Sequence, residues 1–117
     1  MKMVFQAMTT PYTHQDVDTV MNLAEAAADK GHEVAIFLFS DSVLAANTPV
    51  KPVKYDRNIP ERMKALVARG IELHICGLCY QYRGLDAEEK VPGSEMSGLP
   101  ELAVLVAASD RFVSLSE

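Results

Sequence analysis

The sequence predicts a single three-layer α/β domain over residues 1–117, with a mainly parallel sheet of four to five strands. Short apolar runs alternate along the chain with segments of helical periodicity, and this alternation is typical of parallel sheets. Residues 34–39 are continuously apolar, as expected of a strand that is covered on both faces. A chain of 117 residues is also long enough to bury one hydrophobic core without disulfides or a structural metal.

Charge and hydropathy argue against two classes of partner. The net charge is −5 and no run of Lys or Arg occurs, whereas binding to nucleic-acid phosphates needs clustered cations. The longest apolar runs, residues 34–39 and 102–108, are far too short to span a bilayer. Residues 1–5 lead directly into a strand pattern, without the apolar stretch and cleavage site of a signal peptide. We therefore expect a cytoplasmic protein that binds neither nucleic acid nor membranes.

The first half of the chain predicts one strand–helix–strand unit. Residues 3–8 form a short apolar run, which indicates the first strand. Thr13 is expected to cap the following helix, with Asp16 in its first turn, where a negative charge is favourable. Gly31 is expected to end this helix, and residues 34–39 form the second strand after a right-handed crossover. The helix is indicated by apolar residues at helical spacing: Val17, Val20, Met21, Ala24, Ala27 and Ala28.

The second half continues the alternation. Asn58 is expected to cap a helix with Glu61 at its third position, and Gly70 is expected to end that helix. Residues 71–75 predict the next parallel strand. After a last helix that opens near Pro100 and Glu101, residues 112–115 predict the closing strand.

Three segments are expected to connect these elements. Ser40, Asp41 and Ser42 follow the second strand directly, where parallel sheets place their binding loops. Residues 47–57 predict an irregular surface loop. Residues 86–98 are polar and rich in Pro and Gly, so they predict an active-site flap or a loop that contacts a partner.

The chain's only two cysteines, Cys76 and Cys79, follow the strand at residues 71–75. Cys76 lies at the carboxyl end of that strand, where ligands bind in open α/β sheets. If the chain coils into a helical turn from Gly77, the N–H groups of that turn face the Cys76 sulfur and lower its pKa. Arg83 is expected to turn to the same site as an anion-binding fork, and Asp41 to line the same sheet edge. The candidate site thus consists of catalytic Cys76 and Cys79 with substrate-binding Arg83, Asp41 and Gly77.

Each assignment has a structural alternative. Free cysteines commonly fill space in a core, and Cys79 is open between a second reactive thiol and a packing residue. An Asp at a strand end often caps the next turn, which is the alternative for Asp41. His74 shares a strand face with Cys76, so it either tunes the thiol or is an ordinary half-buried strand residue. We expect no metal and no cofactor, since no second cysteine pair completes a zinc site and no Gly-rich loop follows the first strand.

With these residues in view, the chain resembles the DsrE/DsrF-like family over nearly its whole length. The specific part is the Cys-x-x-Cys-x-x-x-Arg-Gly segment at residues 76–84, and residues 39–43 and 109–113 add to the likeness. The resemblance implies a small α/β domain with a flavodoxin-like sheet that forms homotrimers or homohexamers. In one branch of the family, a persulfide-carrying cysteine stands eight residues before the glycine of an Arg-Gly pair, which corresponds to Cys76 here. Cys79 has no counterpart in that branch.

Two functions follow from the residues and the resemblance together. The first is a sulfur-relay or sulfurtransferase-like protein that carries sulfane sulfur on Cys76 and passes it to a partner thiol, with sulfur donor and acceptor proteins as partners. The alternative is a non-catalytic oligomeric binding or regulatory protein that holds a small anion or metabolite near the cysteine turn. Self-association is also expected because the Ala-rich first helix and the apolar run at residues 102–108 exceed the stripe that a monomer needs. The alternative is that both helices are buried within their own domain.

Overall fold

The computed structural model describes residues 1–116, which form one continuous parallel sheet flanked by helices. The strands are β1 (Lys2–Ala7), β2 (Glu33–Leu38), β3 (Glu72–Cys76), β4 (Glu95–Ser97) and β5 (Arg111–Leu115). The helices are α1 (Asp16–Asp29), α2 (Ile59–Ala68), α3 (Gly77–Tyr82) and α4 (Leu99–Ala108), with 3₁₀ helices at Ser40–Ala46 and Ala87–Glu89. The predicted three-layer α/β architecture with a parallel sheet is confirmed.

The strand order is β4-β3-β2-β1-β5, and it decides where the helices lie. The connections β1 to β2, β2 to β3 and β3 to β4 each move one strand in the same direction along the sheet. The connection from β4 to β5 crosses back over the sheet to the far side of β1. Because such crossovers are right-handed, the first three fall on one face of the sheet and α4 falls alone on the other. Flavodoxin itself has the order 2-1-3-4-5, so the likeness to it lies in the layers and the parallel strands.

The core lies between the central strands and helices α1 and α2. In β2 every residue from Ala35 to Leu38 is fully buried, as predicted for a strand covered on both faces. Burial of a large apolar side chain contributes about 1.5–3 kcal/mol, so this layer supplies much of the stability. The predicted apolar stripe of α1 is confirmed, and its buried members are Val17, Val20, Met21, Ala24 and Ala27.

Helix ends follow the sequence signals in most places. The Asn58 side chain accepts the N–H of Glu61, as predicted, and Gly31 takes the positive φ of 86° that follows a helix end. The prediction that Thr13 caps α1 was wrong. The helix begins at Asp16 after Gln15, and no side chain caps it. Thr13 lies inside a turn closed by the His14 N–H and the Thr10 carbonyl, too far ahead of the helix to reach its first amides.

The segment at residues 86–98, predicted to be a loop throughout, contains the edge strand β4. Its three residues pair in parallel with β3, with His74 opposite Glu95 and Cys76 opposite Ser97. A three-residue strand with one apolar side chain, Met96, has no periodicity that a sequence pattern could show. The sheet therefore has five strands, and β4 borders the cysteine turn.

Helix α4 is the most apolar helix and the least covered. Leu105 is its one buried residue, whereas Leu99 and Val104 are 62% and 69% exposed. Phe112 on the neighbouring strand β5 is also 39% exposed. These exposed apolar side chains distinguish α4 from α1 and α2, whose apolar stripes are buried. No helix within residues 1–116 is long and apolar enough to cross a membrane.

Candidate functional site

Cys76 is both the last residue of β3 and the cap of α3. Its backbone is extended, and its Sγ accepts the N–H of Cys79 at 3.5 Å. The helical turn predicted from Gly77 is therefore present, with its first amides directed at the sulfur. Cys76 is only 5% exposed, so this thiol lies beneath the surface at the carboxyl edge of the sheet.

Burial raises the pKa of the Cys76 thiol above its ordinary value, since a thiolate loses its hydration there. The amides of Cys79 and Leu78 act in the opposite direction, and the adjacent Cys79 thiol raises the pKa further. The predicted effect of the helical turn is present, since both N–H groups lower the pKa, but the net shift of the pKa is upward because the loss of water outweighs them. The two amides nevertheless stabilise the thiolate charge once it forms.

Cys79 lies one helical turn further on and is partly exposed. Both cysteines are free thiols. The Cys79 Sγ accepts the main-chain N–H of Ser40 at 3.3 Å. Ser40 directly follows β2, and β2 and β3 are neighbours, so the carboxyl ends of the two strands bring this amide and both thiols to one place.

The conformation of Ser40 is unusual. Its φ is +58°, in the left-handed region that costs a residue with a side chain about 1–2 kcal/mol. The sequence indicated that residues 40–42 lie at the sheet edge, but no signal identified the strained residue. Glycine and asparagine are the usual markers of a left-handed position, and serine is not.

Arg83 and Asp41 join the end of α3 to the 3₁₀ helix Ser40–Ala46. The Arg83 Nε and Nη2 donate to Asp41 Oδ1 at 3.0 and 2.7 Å, and Nη1 donates to the Cys79 carbonyl at 2.9 Å. The Asp41 side chain is 53% exposed, so the ion pair contributes less than about 1 kcal/mol. Both residues lie beside the cysteine turn, bound to each other. Their substrate-binding roles stay predictions.

Gly77 opens α3 without a positive φ. An added Cβ would lie 3.6 Å from the Ser97 carbonyl oxygen and 3.9 Å from Met96 Cβ, which are ordinary contacts. Space alone does not require glycine here. The substrate-binding role of Gly77 therefore rests on its main chain and stays a prediction.

Tyr80 anchors α3 in the core, a role that the sequence analysis missed. It is 1% exposed, and its hydroxyl donates to Asn47 Oδ1 at 3.1 Å. Burial raises the pKa of Tyr80 to about 12, and the charges of Glu89 and Asp86 add to the rise. The available signal was its position one helical turn beyond Cys76, which directs its ring inwards.

His74 lies on the same strand face as Cys76 but is bound elsewhere. It is 7% exposed, and its Nδ1 is 2.8 Å from Ser97 Oγ. Its Nε2 is buried without a hydrogen-bond partner, at 4.0 Å from Glu72 Oε1, beside a cleft of about 400 Å³ under α4. The ring is thus a buried strand residue that bonds to the edge strand. Within residues 1–116, no three His, Cys, Asp or Glu side chains come together as metal ligands would.

Comparison with known proteins adds to this geometry. The chain is 30% identical to DsrE of Allochromatium vinosum, covering 97% of each chain, and 29% identical to sulfurtransferase TusD of Klebsiella pneumoniae, covering 87% of this chain and 90% of TusD. The crystal structure of YchN from Escherichia coli superimposes with a TM-score of 0.90 at 26% identity, covering 98% of this chain and 99% of YchN. The sequence model of the DsrE/DsrF-like family matches residues 1–115, so the chain belongs to the DsrE/DsrF-like family.

Proposed function

We propose that this protein is a sulfur-relay protein that carries sulfane sulfur as a persulfide on Cys76 and passes it to a partner thiol. The proposal is carried by one arrangement: a thiol at the carboxyl edge of the sheet, capped by the amides of α3, with a second thiol one turn away. Membership of a family with a relative named sulfurtransferase TusD supports this chemistry. Sulfur donor and acceptor proteins are the partners that the relay needs.

The chemistry is thiol exchange on a sulfane sulfur. The Cys76 thiolate attacks the outer sulfur of a donor persulfide or polysulfide, the donor's S–S bond breaks, and its electron pair leaves with the donor thiolate. Delivery is the same step with a partner thiolate as the attacking group. Both steps balance without an added oxidant or reductant. The N–H groups above Cys76 favour the negative charge that its sulfur carries before loading and after delivery.

Sulfur retention tests the assignment. Reduced protein is treated with inorganic polysulfide and desalted, and its sulfane sulfur is measured by cyanolysis and intact mass spectrometry. We expect the wild type and Cys79→Ser to retain sulfur equally. Cys76→Ser should retain several-fold less, because a persulfide on the partly exposed Cys79 meets solvent nucleophiles. Equal retention by the wild type and Cys76→Ser would show that Cys76 is not the carrier.

Self-association into a homotrimer or homohexamer is a second part of the proposal. The topology leaves one sheet face with the single ten-residue helix α4, whose Val104 is 69% exposed. Val104→Glu should lower the mass measured by light scattering in solution, because a buried charge in an apolar interface is costly. Val53→Glu is the matched control, since Val53 is 77% exposed in the segment between the 3₁₀ helix Ser40–Ala46 and α2. An unchanged mass for Val104→Glu would exclude α4 from the interface.

We also propose that the relay operates in the cytoplasm. A persulfide that is exchanged with partner thiols needs a compartment in which cysteines stay reduced, as they do in the cytoplasm.

A further inference from the structure

The two thiols of the site differ in access. Cys76 is buried beneath the first turn of α3, whereas Cys79 is partly exposed. A partner protein's thiol must approach in line with the sulfur–sulfur bond that it attacks, which a buried position restricts. Cys79 is therefore the more accessible of the two thiols for an acceptor protein.

The Cys79 sulfur has a main-chain donor that the fold holds in place. The Ser40 N–H is 3.3 Å from Cys79 Sγ, and Ser40 keeps a left-handed conformation to direct it there. The fully buried Ser42 side chain accepts the Phe39 N–H at 2.9 Å and lies 2.7 Å from the Ala7 carbonyl oxygen, which secures the end of β2 immediately before Ser40. Strain that the surroundings maintain in this way is typical of functional positions.

Arg83 holds the other side of the same contact. It donates to the carbonyl of Cys79 itself and to Asp41, the residue after Ser40. The guanidinium thus links Asp41, which follows the donor Ser40, to the main chain of Cys79, whose Sγ is the acceptor. Arg83 acts as a positioning residue for Cys79.

We propose, on the basis of the persulfide proposed at Cys76, that the sulfur atom moves from Cys76 to Cys79 and leaves the protein from Cys79, whose sulfur the Ser40 N–H holds. In this step the Cys79 thiolate attacks the outer sulfur of the Cys76 persulfide. A new S–S bond forms on Cys79, the S–S bond at Cys76 breaks, and the electron pair stays on the Cys76 sulfur. Cys76 then takes up the proton that Cys79 lost, so no oxidant or reductant is required.

The main chain stabilises the charge on both sulfurs. The Ser40 N–H favours negative charge on the attacking Cys79 sulfur. The Cys79 N–H, 3.5 Å from Cys76 Sγ, favours it on the sulfur that departs. Burial raises the pKa of Cys76, so protonation of its sulfur after the bond breaks is favoured.

The test separates loading from delivery. Wild type, Cys79→Ser and the control Tyr82→Phe are loaded with inorganic polysulfide and desalted, and sulfane sulfur is counted by cyanolysis. Each is then shaken with a cysteinyl peptide immobilised on beads, and the sulfur gained by the beads is followed with time. We expect equal loading in all three and delivery at least about tenfold slower for Cys79→Ser. Tyr82 belongs to the same helix and is 78% exposed, so Tyr82→Phe should deliver sulfur at the wild-type rate.

Each other result has a definite meaning. Delivery by Cys79→Ser at the wild-type rate would overturn the Cys79 step while leaving the Cys76 carrier intact. Release of sulfide with a Cys76–Cys79 disulfide would also overturn it, because Cys79 would then have attacked the inner sulfur. Absence of loading in the wild type would instead refute the proposed function itself.

Discussion

Tyr80→Phe tests how the cysteine turn is attached to the core. The substitution keeps the buried ring and removes the hydroxyl that donates to Asn47 Oδ1 at 3.1 Å. Asn47 is 8% exposed, so its oxygen loses a partner that water does not readily replace. Leaving a buried acceptor unpaired costs about 1–3 kcal/mol, and we expect the free energy of unfolding to fall by about 1.5 kcal/mol at pH 8.

The stabilisation from the Tyr80–Asn47 hydrogen bond should fall as the pH rises. The folded-state pKa of Tyr80 is raised to about 12, chiefly by burial. An unfolded tyrosine has a pKa of about 10, so the unfolded chain loses its proton first as the pH rises. The stabilisation is complete below about pH 10 and is lost as the pH rises towards 12. At pH 11 this titration of Tyr80 should lower the free energy of unfolding of the wild type by about 1.4 kcal/mol relative to pH 8. The difference between the wild type and Tyr80→Phe should then be close to zero.

Urea unfolding followed by far-UV circular dichroism at pH 8 and pH 11 measures both quantities. Tyr82→Phe is the matched control, since Tyr82 belongs to the same helix and is 78% exposed. It should match the wild type at both pH values. Titration of Cys76 affects all three proteins alike and cancels in the comparison. A difference for Tyr80→Phe that is below about 0.5 kcal/mol at pH 8, or that persists unchanged at pH 11, would refute the reasoning.

Three further predictions concern the same turn. In a variant without the second cysteine, alkylation of Cys76 by iodoacetamide should rise with a midpoint above about pH 8.5, since burial raises its pKa; a lower midpoint would contradict this. Gly84→Ala should lower the free energy of unfolding by about 1 kcal/mol, because Gly84 has a φ of +68°, whereas Gly77→Ala should leave it unchanged or higher. Arg83→Gln should speed hydrogen exchange of the Ser40 amide measured by NMR, and unchanged protection would show that Arg83 does not hold that contact.

The periodicity of the chain predicted most of the fold. Continuous apolar runs marked β1 to β3, and apolar residues at helical spacing marked α1, because these elements bury one face or both. The position of Cys76 at the end of β3 followed from the same run. The cap at Asn58 and the helix end at Gly31 were also predicted, since each depends on residues within one turn of the chain.

Features that depend on distant residues were not predicted. The edge strand β4 exists because β3 offers it hydrogen-bonding partners, and its own three residues carry no pattern. The expected cap at Thr13 failed because the turn at Thr10–His14 delays the helix. The net upward shift of the Cys76 pKa was not predicted. The amount of water that a fold excludes from a thiol cannot be deduced from neighbouring residues.

The sequence alone determined that a thiol stands at the carboxyl end of a parallel strand, with a helical turn, a second thiol and an arginine after it. These features are local, because strand periodicity, capping and spacing act over a few residues. The tertiary structure alone decided how the two thiols differ. The pairing of β2 with β3 brings the Ser40 amide to Cys79, the ion pair with Asp41 engages Arg83, and the closing core buries Cys76. The Ser40–Cys79 and Asp41–Arg83 contacts each join residues about forty positions apart, and only packing of the whole chain brings such groups together.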